Sequence, residues 1–394
     1  MTERLYYREP FRTEFDAVVE RAERHEGRPA VVLDRTAFYP ASGGQPFDTG
    51  RLEEVAVVDV MEREDGTILH VLERELPSGL AVHGKVDWAR RFDHMQQHTG
   101  QHVLSAAFDR LHRARTVGFH LGAELSTIDL DRELSPSAIV AVEAEANRIV
   151  WEGRAVSIRF VDDEQASRLS LRKEPGRTGE LRIIEVADYD LSACGGTHVS
   201  ATGAIGGVAI WSFEKLRGGL RIEFACGGRA LRAYRTLRDA VTGCVRHLSV
   251  LPEELPSAIE RAQAENKDLK KSLKLLQERL AGFEAVTIAA RAVDHRGRLQ
   301  VIEAIEGWDA NGLKALALSI ISKPGYEVAL FSPTPPMLAV VARSADVALD
   351  ANAVLRALMG RFGGRGGGRQ DLAQGGGLTG SLENVLAAAR EAMR

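Results

Sequence analysis

The 394-residue chain is poor in cysteine, has no long apolar run and carries little excess charge. Its three cysteines, at positions 194, 226 and 244, cannot form an even disulfide framework, and no secretory leader is evident. We therefore expect a cytoplasmic protein with free thiols. No apolar run approaches the ~20 residues that a membrane span requires. A formal net charge of -4 argues against nonspecific nucleic-acid binding, unless basic residues gather on one face.

Two short motifs carry four candidate metal ligands. His98 and His102 lie four residues apart in a stretch with helical periodicity, so their side chains share one helix face about one turn apart. Cys194 and His198 have the same spacing around a Gly-Gly turn, where the backbone can bend tightly around an ion. Three imidazoles and one thiolate are a ligand set typical of zinc. The sequence therefore predicts a zinc site formed by these four residues.

These motifs resemble a known family. HTGQH at 98–102 and CGGTHVSATGAIG at 194–206 are similar to the editing domain of alanyl-tRNA synthetase, and still more to the free-standing AlaX editing proteins. Residues 36–50 resemble the family's glycine-rich element, and residues 86–97 resemble the run that leads into the histidine pair. Residues 363–377 are similar to the DHHA1 signature of the synthetase C-terminus. The chain opens directly on the editing-type region, so we expect no aminoacylation domain.

The resemblance implies a zinc-dependent aminoacyl-tRNA deacylase. Its substrate would be misacylated tRNA(Ala), chiefly Ser-tRNA(Ala), with Gly-tRNA(Ala) as a second candidate. A separate hydrolytic step is needed because an activating site that accepts alanine rejects serine, which adds a hydroxyl, or glycine, which lacks the methyl, by only ~10–200-fold. Four protein ligands fill a tetrahedral zinc ion, so the sequence leaves open whether zinc acts in catalysis, in substrate positioning or only in structure.

Two further residues are candidates for the catalytic pocket. Gln45 resembles a residue that lines the family's editing pocket, although it could instead close a barrel turn. Thr116 follows the histidine helix and could hydrogen-bond the hydroxyl of a seryl group. Asp188 and Asp190 could support a ligand imidazole or be exposed turn carboxylates. His94 is expected to be a helix-face residue.

Two other functions are alternatives to the deacylase. The first is a non-catalytic tRNA-binding protein with a structural zinc. The second is a phosphoesterase related to other DHHA1-bearing enzymes. Those enzymes need an Asp-His-His cluster, and the run Asp294-His295-Arg296 does not provide one. Cys226 and Cys244 fall outside any ligand spacing and are expected to pack as small apolar groups.

The predicted fold class is α+β, in four parts. Residues 1–90 form a small β-barrel that carries the glycine-rich element. Residues 91–245 form a two-layer α/β zinc-binding editing domain, with helices on one face of an antiparallel sheet. Residues 250–283 form a helical heptad segment, and residues 284–394 form an α/β DHHA1-like tRNA-binding domain.

Periodicity and capping signals place the individual elements. The expected helices cover 94–112, 137–152, 310–321, 350–360 and 379–393, of which the second is capped by Ser135 with Pro136 at its first position. The expected strands cover 30–33, 54–60, 67–72, 126–130, 156–160, 181–186, 208–214, 219–225, 285–289, 299–305, 327–332 and 337–342.

A heptad seam predicts a coiled-coil-like helix. Apolar residues alternate spacings of four and three, with one Asn at an a position: Leu255, Ile259, Ala262, Asn266, Leu269, Leu273, Leu276 and Leu280. An Asn at a single a position commonly fixes register in two-stranded coils, which favours a parallel homodimer through 255–280. The alternatives are an intramolecular helical hairpin and a helix that lies on its own domain.

The glycine-rich run near the C-terminus predicts a loop before the last helix. Its backbone N–H groups, together with Arg361, Arg365 and Arg369, would form a cradle for phosphate or sugar. The resemblance implies that this domain grips tRNA, so these arginines are the candidate tRNA contacts. The family's usual Arg-Pro-Asp is Arg369-Gln370-Asp371 here, which frees one backbone angle and changes little else.

Overall fold

The computed structural model describes residues 2–172 and 179–394. The chain divides into two units, Met1–Gly243 and Cys244–Arg394. Among the helices of the described ranges, none combines the length and the apolar composition that crossing a membrane requires.

The first unit begins with a closed barrel of six strands. Its elements, including a short helix and a parallel pair of two-residue strands beside the barrel, are β1 (Glu3–Arg4), α1 (Leu5–Arg8), β2 (Glu14–His25), β3 (Arg28–Leu33), β4 (Arg35–Thr36), β5 (Gly50–Leu52), β6 (Val55–Glu62), β7 (Ile68–Leu72) and β8 (Ala81–Val86). The barrel strands are antiparallel neighbours in the order β2-β3-β7-β6-β5-β8. The predicted N-terminal barrel is confirmed.

Alternation along the strands fills the barrel. In β2, Phe15, Ala17 and Val19 are buried and the residues between them are exposed, as the two-residue period of a strand requires. The sequence analysis missed β2 because its second half, from Glu20 to His25, is mostly charged. Those charges lie on a strand that extends beyond the buried part of the barrel.

The second layer follows the barrel directly. Its elements are α2 (Trp88–His112), β9 (Thr116–Leu121), β10 (Ser126–Leu130), α3 (Pro136–Glu152), β11 (Val156–Val161), α4 (Asp163–Ser167), β12 (Leu181–Val186), β13 (Asp190–Ala193), a short 3-10 helix (Thr202–Ile205), β14 (Val208–Leu216), β15 (Gly219–Cys226) and α5 (Gly227–Leu248). Helix α3 is capped as predicted, since the Ser135 side chain accepts from Ala138 N. Helix α2 begins six residues earlier than predicted because Asp87 caps it.

The strands of this layer form two sheets, whereas a single sheet was predicted. One has the order β14-β15-β10-β9 and the other the order β11-β12-β13. They separate because β12 is buried on both faces. Ile183 packs with Ala166 in a small cluster of its own, while Val186 joins the main core with Phe108 of α2 and Ile149 of α3. In the described part of this region, helix α3 and strands of both sheets therefore pack around α2.

The second unit is a mixed six-stranded sheet with helices. Its elements are α6 (Leu255–Ala289), β16 (Val293–His295), β17 (Arg298–Ala304), α7 (Ala310–Ile321), β18 (Tyr326–Phe331), β19 (Met337–Arg343), α8 (Ala351–Phe362), β20 (Arg365–Gly368), β21 (Leu372–Leu378) and α9 (Leu382–Ala392). The strand order is β16-β17-β18-β19-β21-β20, and within this sheet, as the structure describes it, only β17 and β18 are parallel neighbours. The predicted α+β fold class is confirmed.

Three predictions for the C-terminal half are corrected. The strand expected at 285–289 is the last part of α6, where Ala281, Ala285 and Ile288 share the face that packs with α7. The expected glycine-rich loop is the antiparallel pair β20–β21. Glycine is required there because a Cβ on Gly368 would lie 2.3 Å from the Leu372 carbonyl oxygen and 2.5 Å from Ala373 Cα, both backbone atoms of β21. Cys244 is exposed on α5, whereas Cys226 is buried as expected.

Candidate metal centre

Two distant segments bring the four predicted ligands together in the first unit. Ligand atoms of His98, His102, Cys194 and His198 all lie within 4.8 Å of one another. The Cys194 Sγ atom is 3.3 Å from His98 Nε2 and 3.4 Å from His198 Nε2. We call these four residues the four-ligand cluster. The edges of a tetrahedron with ordinary Zn–S and Zn–N bond lengths are about 3.5 Å, so the donor spacing fits such an ion.

The local backbone explains how the segments meet. His98 and His102 lie one turn apart on α2, which is buried along this stretch. Cys194 and His198 follow the end of β13, and the chain between them passes directly over His98. A Cβ on Gly196 would lie 2.2 Å from His98 Cε1 and 2.9 Å from Gln45 Oε1. Only glycine permits this approach.

Each imidazole is oriented by an oxygen atom on its far side. His98 Nδ1 lies 2.8 Å from Gln45 Oε1, and His102 Nδ1 lies 3.0 Å from Asp190 Oδ2. His198 Nδ1 lies 3.2 Å from Thr99 Oγ1. The Nε2 atoms are thereby left for the centre of the cluster. Metal-binding histidines have this arrangement, in which an outer hydrogen bond fixes the ring and its tautomer.

The electrostatics favour the metal-binding forms of Cys194 and His198, whereas at His102 burial is outweighed by the hydrogen bonds with Asp190 and Cys194, which raise the pKa of the imidazole. Burial alone would raise the pKa of the Cys194 thiol, but His98 and His198 hold it well below its usual range. Burial, reinforced by nearby His98, lowers the pKa of His198 to about 3. Burial would also raise the pKa of Asp190, yet the hydrogen bond with His102 and the charge of Arg172 lower it. A thiolate and a neutral imidazole are the forms that bind a metal ion.

A cavity of about 350 Å³ adjoins the cluster. Its walls come from the glycine-rich turn, α2, β9 and the segment at β13: Gly43, His98, Gln101, His102, Thr116, Val117, Gly118, Phe119, Arg172, Ser192, Ala193, Cys194 and Gly195. Metal-ligand side chains therefore form one side of a space large enough for a small polar group. Thr116 lies in the wall, as its predicted role requires.

Gln45 lies behind the cluster and is absent from the cavity wall. Its Oε1 atom accepts from Thr197 N at 3.1 Å and lies against His98, while its Nε2 atom donates to Thr197 Oγ1 at 2.9 Å. The amide therefore holds both the histidine and the turn before His198. This placement differs from the expected pocket-lining position, because the neighbouring Gly43 takes that place.

Asp190 is the supporting carboxylate, and Asp188 is a turn residue. Asp190 is buried and receives a two-pronged contact from Arg172, with Nε at 2.7 Å from Oδ1. Asp188 adopts a left-handed backbone conformation in the turn before β13. His94 is buried, and burial lowers the pKa of its imidazole to about 3, but it is not part of the cluster.

The three predicted tRNA contacts lie in the second unit, at the end of α8 and around β20. Arg361 and Arg369 have exposed side chains that pair with Glu391 at 3.3 Å and Asp371 at 3.1 Å. Arg365 is exposed beside a groove of about 310 Å³ whose wall includes several glycines of β20 and β21. Exposed guanidinium groups on a glycine-rich sheet edge remain accessible to a large anionic partner.

Sequence reasoning missed the polar residues between the metal ligands. Gln101 and Ser105 are buried on α2, and with His98 and His102 they form a polar row at i, i+3, i+4 and i+7. Such a row normally holds apolar residues on a buried helix. Four polar residues in this pattern were the available signal.

Three family models and several related proteins match this chain. Residues 7–90 match tRNA synthetases class II (A), residues 181–223 match the Threonyl and Alanyl tRNA synthetase second additional domain, and residues 298–394 match the DHHA1 domain. The alanyl-tRNA editing protein AlaX-L of Pyrococcus horikoshii is 32% identical over 388 residues, which cover 95% of this chain and 94% of that protein.

The chain also matches part of much longer proteins. Alanine–tRNA ligases of Pyrococcus abyssi and Pyrococcus furiosus are 34% and 36% identical over 396 residues. These matches cover 95% of this chain but only 42% of each ligase. Among solved structures, the C-Ala domain of Aquifex aeolicus alanyl-tRNA synthetase matches 26% of this chain at 22% identity and a TM-score of 0.25.

Proposed function

The chain belongs to the family of AlaX-type alanyl-tRNA editing proteins, and from that premise we propose that it is an aminoacyl-tRNA deacylase acting on misacylated tRNA(Ala). The observation that carries the proposal is the cavity whose wall includes three members of the four-ligand cluster, His98, His102 and Cys194, together with Thr116. An ester between an amino acid and a terminal ribose is small and polar. It fits a confined polar site beside a metal centre.

We propose that the metal is zinc. The cluster offers three imidazole nitrogens and one thiolate, and its residues are oriented from behind by Gln45, Asp190 and Thr99. Bound zinc would supply a fixed positive charge next to the aminoacyl group. Four protein ligands leave a tetrahedral ion no vacant position for an attacking water. We therefore assign the metal to binding and positioning the substrate through its charge, and we assign Gln45 to positioning His98.

The proposed substrates are Ser-tRNA(Ala) and, second, Gly-tRNA(Ala). Thr116 places a hydroxyl group in the cavity wall, where it can hydrogen-bond a seryl side chain. An alanyl group would leave that hydrogen bond unmade. Sites built to bond a hydroxyl reject analogues that lack it far more strongly than apolar pockets reject an added methyl group.

We propose that Arg361, Arg365 and Arg369 bind the tRNA backbone. Guanidinium groups match phosphate oxygens in a two-pronged geometry, and these three are clustered around one glycine-rich strand. Aminoacyl-tRNA is used in the cytoplasm, so we assign the protein to that compartment.

We also propose a parallel homodimer through residues 255–280. The seam of α6 is exposed in the single chain, for example at Leu269, Leu273 and Leu276. In a parallel in-register pair, Asn266 would face Asn266, and Glu265 of one copy would face Lys270 of the other. Both contacts favour the parallel arrangement.

Deacylation of Ser-, Gly- and Ala-tRNA(Ala) by the purified protein tests the proposal, together with its zinc content. Cys194→Ala removes the only thiolate of the cluster, and Cys244→Ala is the matched control on an exposed helix. We expect rapid loss of Ser-tRNA(Ala), little loss of Ala-tRNA(Ala), and a Cys194→Ala protein that is inactive and deficient in zinc. Zinc-loaded protein that binds tRNA without hydrolysing any of the three would instead identify a binding module with a structural metal.

A further inference from the structure

The polar row on α2 continues one turn beyond the metal ligands. Ser105 is completely buried, and Gln101 is nearly so. Neither side chain is one of the four predicted ligands. Burying two uncharged polar side chains is unfavourable unless their hydrogen bonds are made within the protein. The hydrogen bonds that they make lead to the cavity wall.

Ser105 receives two hydrogen bonds. Thr116 Oγ1 donates to Ser105 Oγ at 2.7 Å, and Gln101 Nε2 donates to the same oxygen at 2.8 Å. A serine hydroxyl has two acceptor lone pairs, so both are occupied. The single hydroxyl proton of Thr116 is therefore directed at Ser105, away from the cavity. Towards a ligand in the cavity, Thr116 Oγ1 can then act only as a hydrogen-bond acceptor, through its lone pairs.

We propose that Ser105 is a positioning residue that holds the Thr116 hydroxyl as a hydrogen-bond acceptor and so makes the cavity selective for a hydroxyl-bearing aminoacyl group. This inference rests on the proposed deacylase function and deepens it. A seryl side chain can donate its hydroxyl proton to Thr116, whereas the side chains of alanyl and glycyl groups have no hydrogen-bond donor. Without Ser105, the Thr116 hydroxyl could rotate and present its own proton, and the acceptor would no longer be fixed before the substrate arrives.

The test measures kcat/KM for Ser-tRNA(Ala) and for Gly-tRNA(Ala). The readout is the ratio of the two values, which compares substrates that differ in the hydroxymethyl group. We expect Ser105→Ala to lower this ratio roughly tenfold, the size expected for one hydrogen bond in a buried site. The Thr116→Val variant has no hydroxyl to orient. The double variant Thr116→Val/Ser105→Ala should therefore have the same ratio as Thr116→Val alone.

The outcomes separate the inference from the function on which it rests. If wild-type protein hydrolyses both substrates and Ser105→Ala leaves the ratio unchanged, Ser105 has only a structural role and the inference is overturned. A change of the ratio by Ser105→Ala that persists in the Thr116→Val background overturns it as well. Wild-type protein that hydrolyses neither substrate overturns the proposed function and this inference together. Ser105→Cys, which keeps the volume and is a weak acceptor, replaces Ser105→Ala if that variant fails to fold.

Discussion

Arg91 and Asp48 form an ion pair that is completely shielded from solvent. The Arg91 Nε atom lies 3.1 and 2.9 Å from the two carboxylate oxygens. The same guanidinium donates to the Pro10 and Ala37 carbonyls at 2.7 and 2.5 Å. It thus joins α2 to three segments of the barrel region. Because Asp48 follows Gln45 by three residues, the pair also fixes the glutamine relative to α2.

Removing this carboxylate should destabilise the first unit strongly. Asp48→Ala leaves the Arg91 charge buried without a partner, so we expect the free energy of unfolding to fall by about 3–5 kcal/mol. Urea denaturation measures the change. The control is Glu133→Ala, which breaks an exposed pair with Lys215 and should cost less than about 1 kcal/mol. Equal effects of the two substitutions would contradict the role given to the buried pair.

Asp190 should set the metal affinity without binding the ion. Asp190→Asn keeps the size of the side chain and removes the charge that accepts from His102, so we expect zinc affinity to fall about 10–100-fold. Competition with a chromophoric chelator measures it. Asp188→Asn, in the turn two residues earlier, is the control, since Asn tolerates the left-handed backbone there. A normal affinity in Asp190→Asn would show that the ring of His102 is held by its surroundings alone.

Buried His70 should make the protein sensitive to mild acid. Burial in the barrel lowers the pKa of its imidazole to about 4, and its Nε2 atom lies 2.8 Å from Thr36 Oγ1. Between pH 6.5 and 4 the unfolded chain takes up a proton that the folded chain does not. Stability therefore falls as pH falls, by up to about 1.4 kcal/mol per pH unit from this group.

His70→Gln tests this contribution. Urea midpoints at pH 7, 6, 5 and 4.5 should decline less steeply for the variant than for the wild-type protein. His83→Gln is the control, because a hydrogen bond that its imidazole donates to the Asp16 carboxylate raises the pKa of that exposed histidine, and its contribution has the opposite sign. Parallel curves for wild-type protein and His70→Gln would mean that the barrel accommodates a charged imidazole at this position.

The exposed seam of α6 should control the oligomeric state. Leu273→Lys puts a charge at a central a position, so we expect the proposed dimer to dissociate into monomers. Light scattering after size exclusion, at micromolar protein, measures the mass. Lys271→Glu changes a charge on the opposite side of the same helix and should leave the dimer intact. A monomeric wild-type protein would remove this proposal and leave the deacylase proposal standing.

Capping residues and short motifs predicted those elements whose ends depend on residues close by in the sequence. Helix α3 was found because Ser135 and Pro136 are an N-cap and a first-turn residue in their ordinary positions. The HxxxH and CxxxH pairs were found because ligand spacing is also local. The strand expected at 285–289 was wrong because three β-branched residues between two alanines suit a strand locally, but Ala285 and Ile288 also fit the face of a helix that packs closely on α7.

Contacts between distant segments could not be predicted in this way. Gln45 reaches His98 across 53 residues, and Asp190 reaches His102 across 88. Nothing in the residues around Gln45 indicates that its amide faces a histidine and not the cavity. The hydrogen-bond network of Thr116, Ser105 and Gln101 likewise depends on how β9 packs against α2. The residue periodicity of either segment does not predict that packing.

The separation of the two ligand pairs also has a consequence for biosynthesis. A ribosome that has completed α2 has made His98 and His102, but Cys194 and His198 emerge only after about ninety further residues. Until then the nascent chain offers two imidazoles, which hold zinc far more weakly than a complete set of four ligands. A complete four-ligand site therefore exists only once the chain has been made beyond β13, so we expect a metal ion to bind late in the synthesis of the first unit.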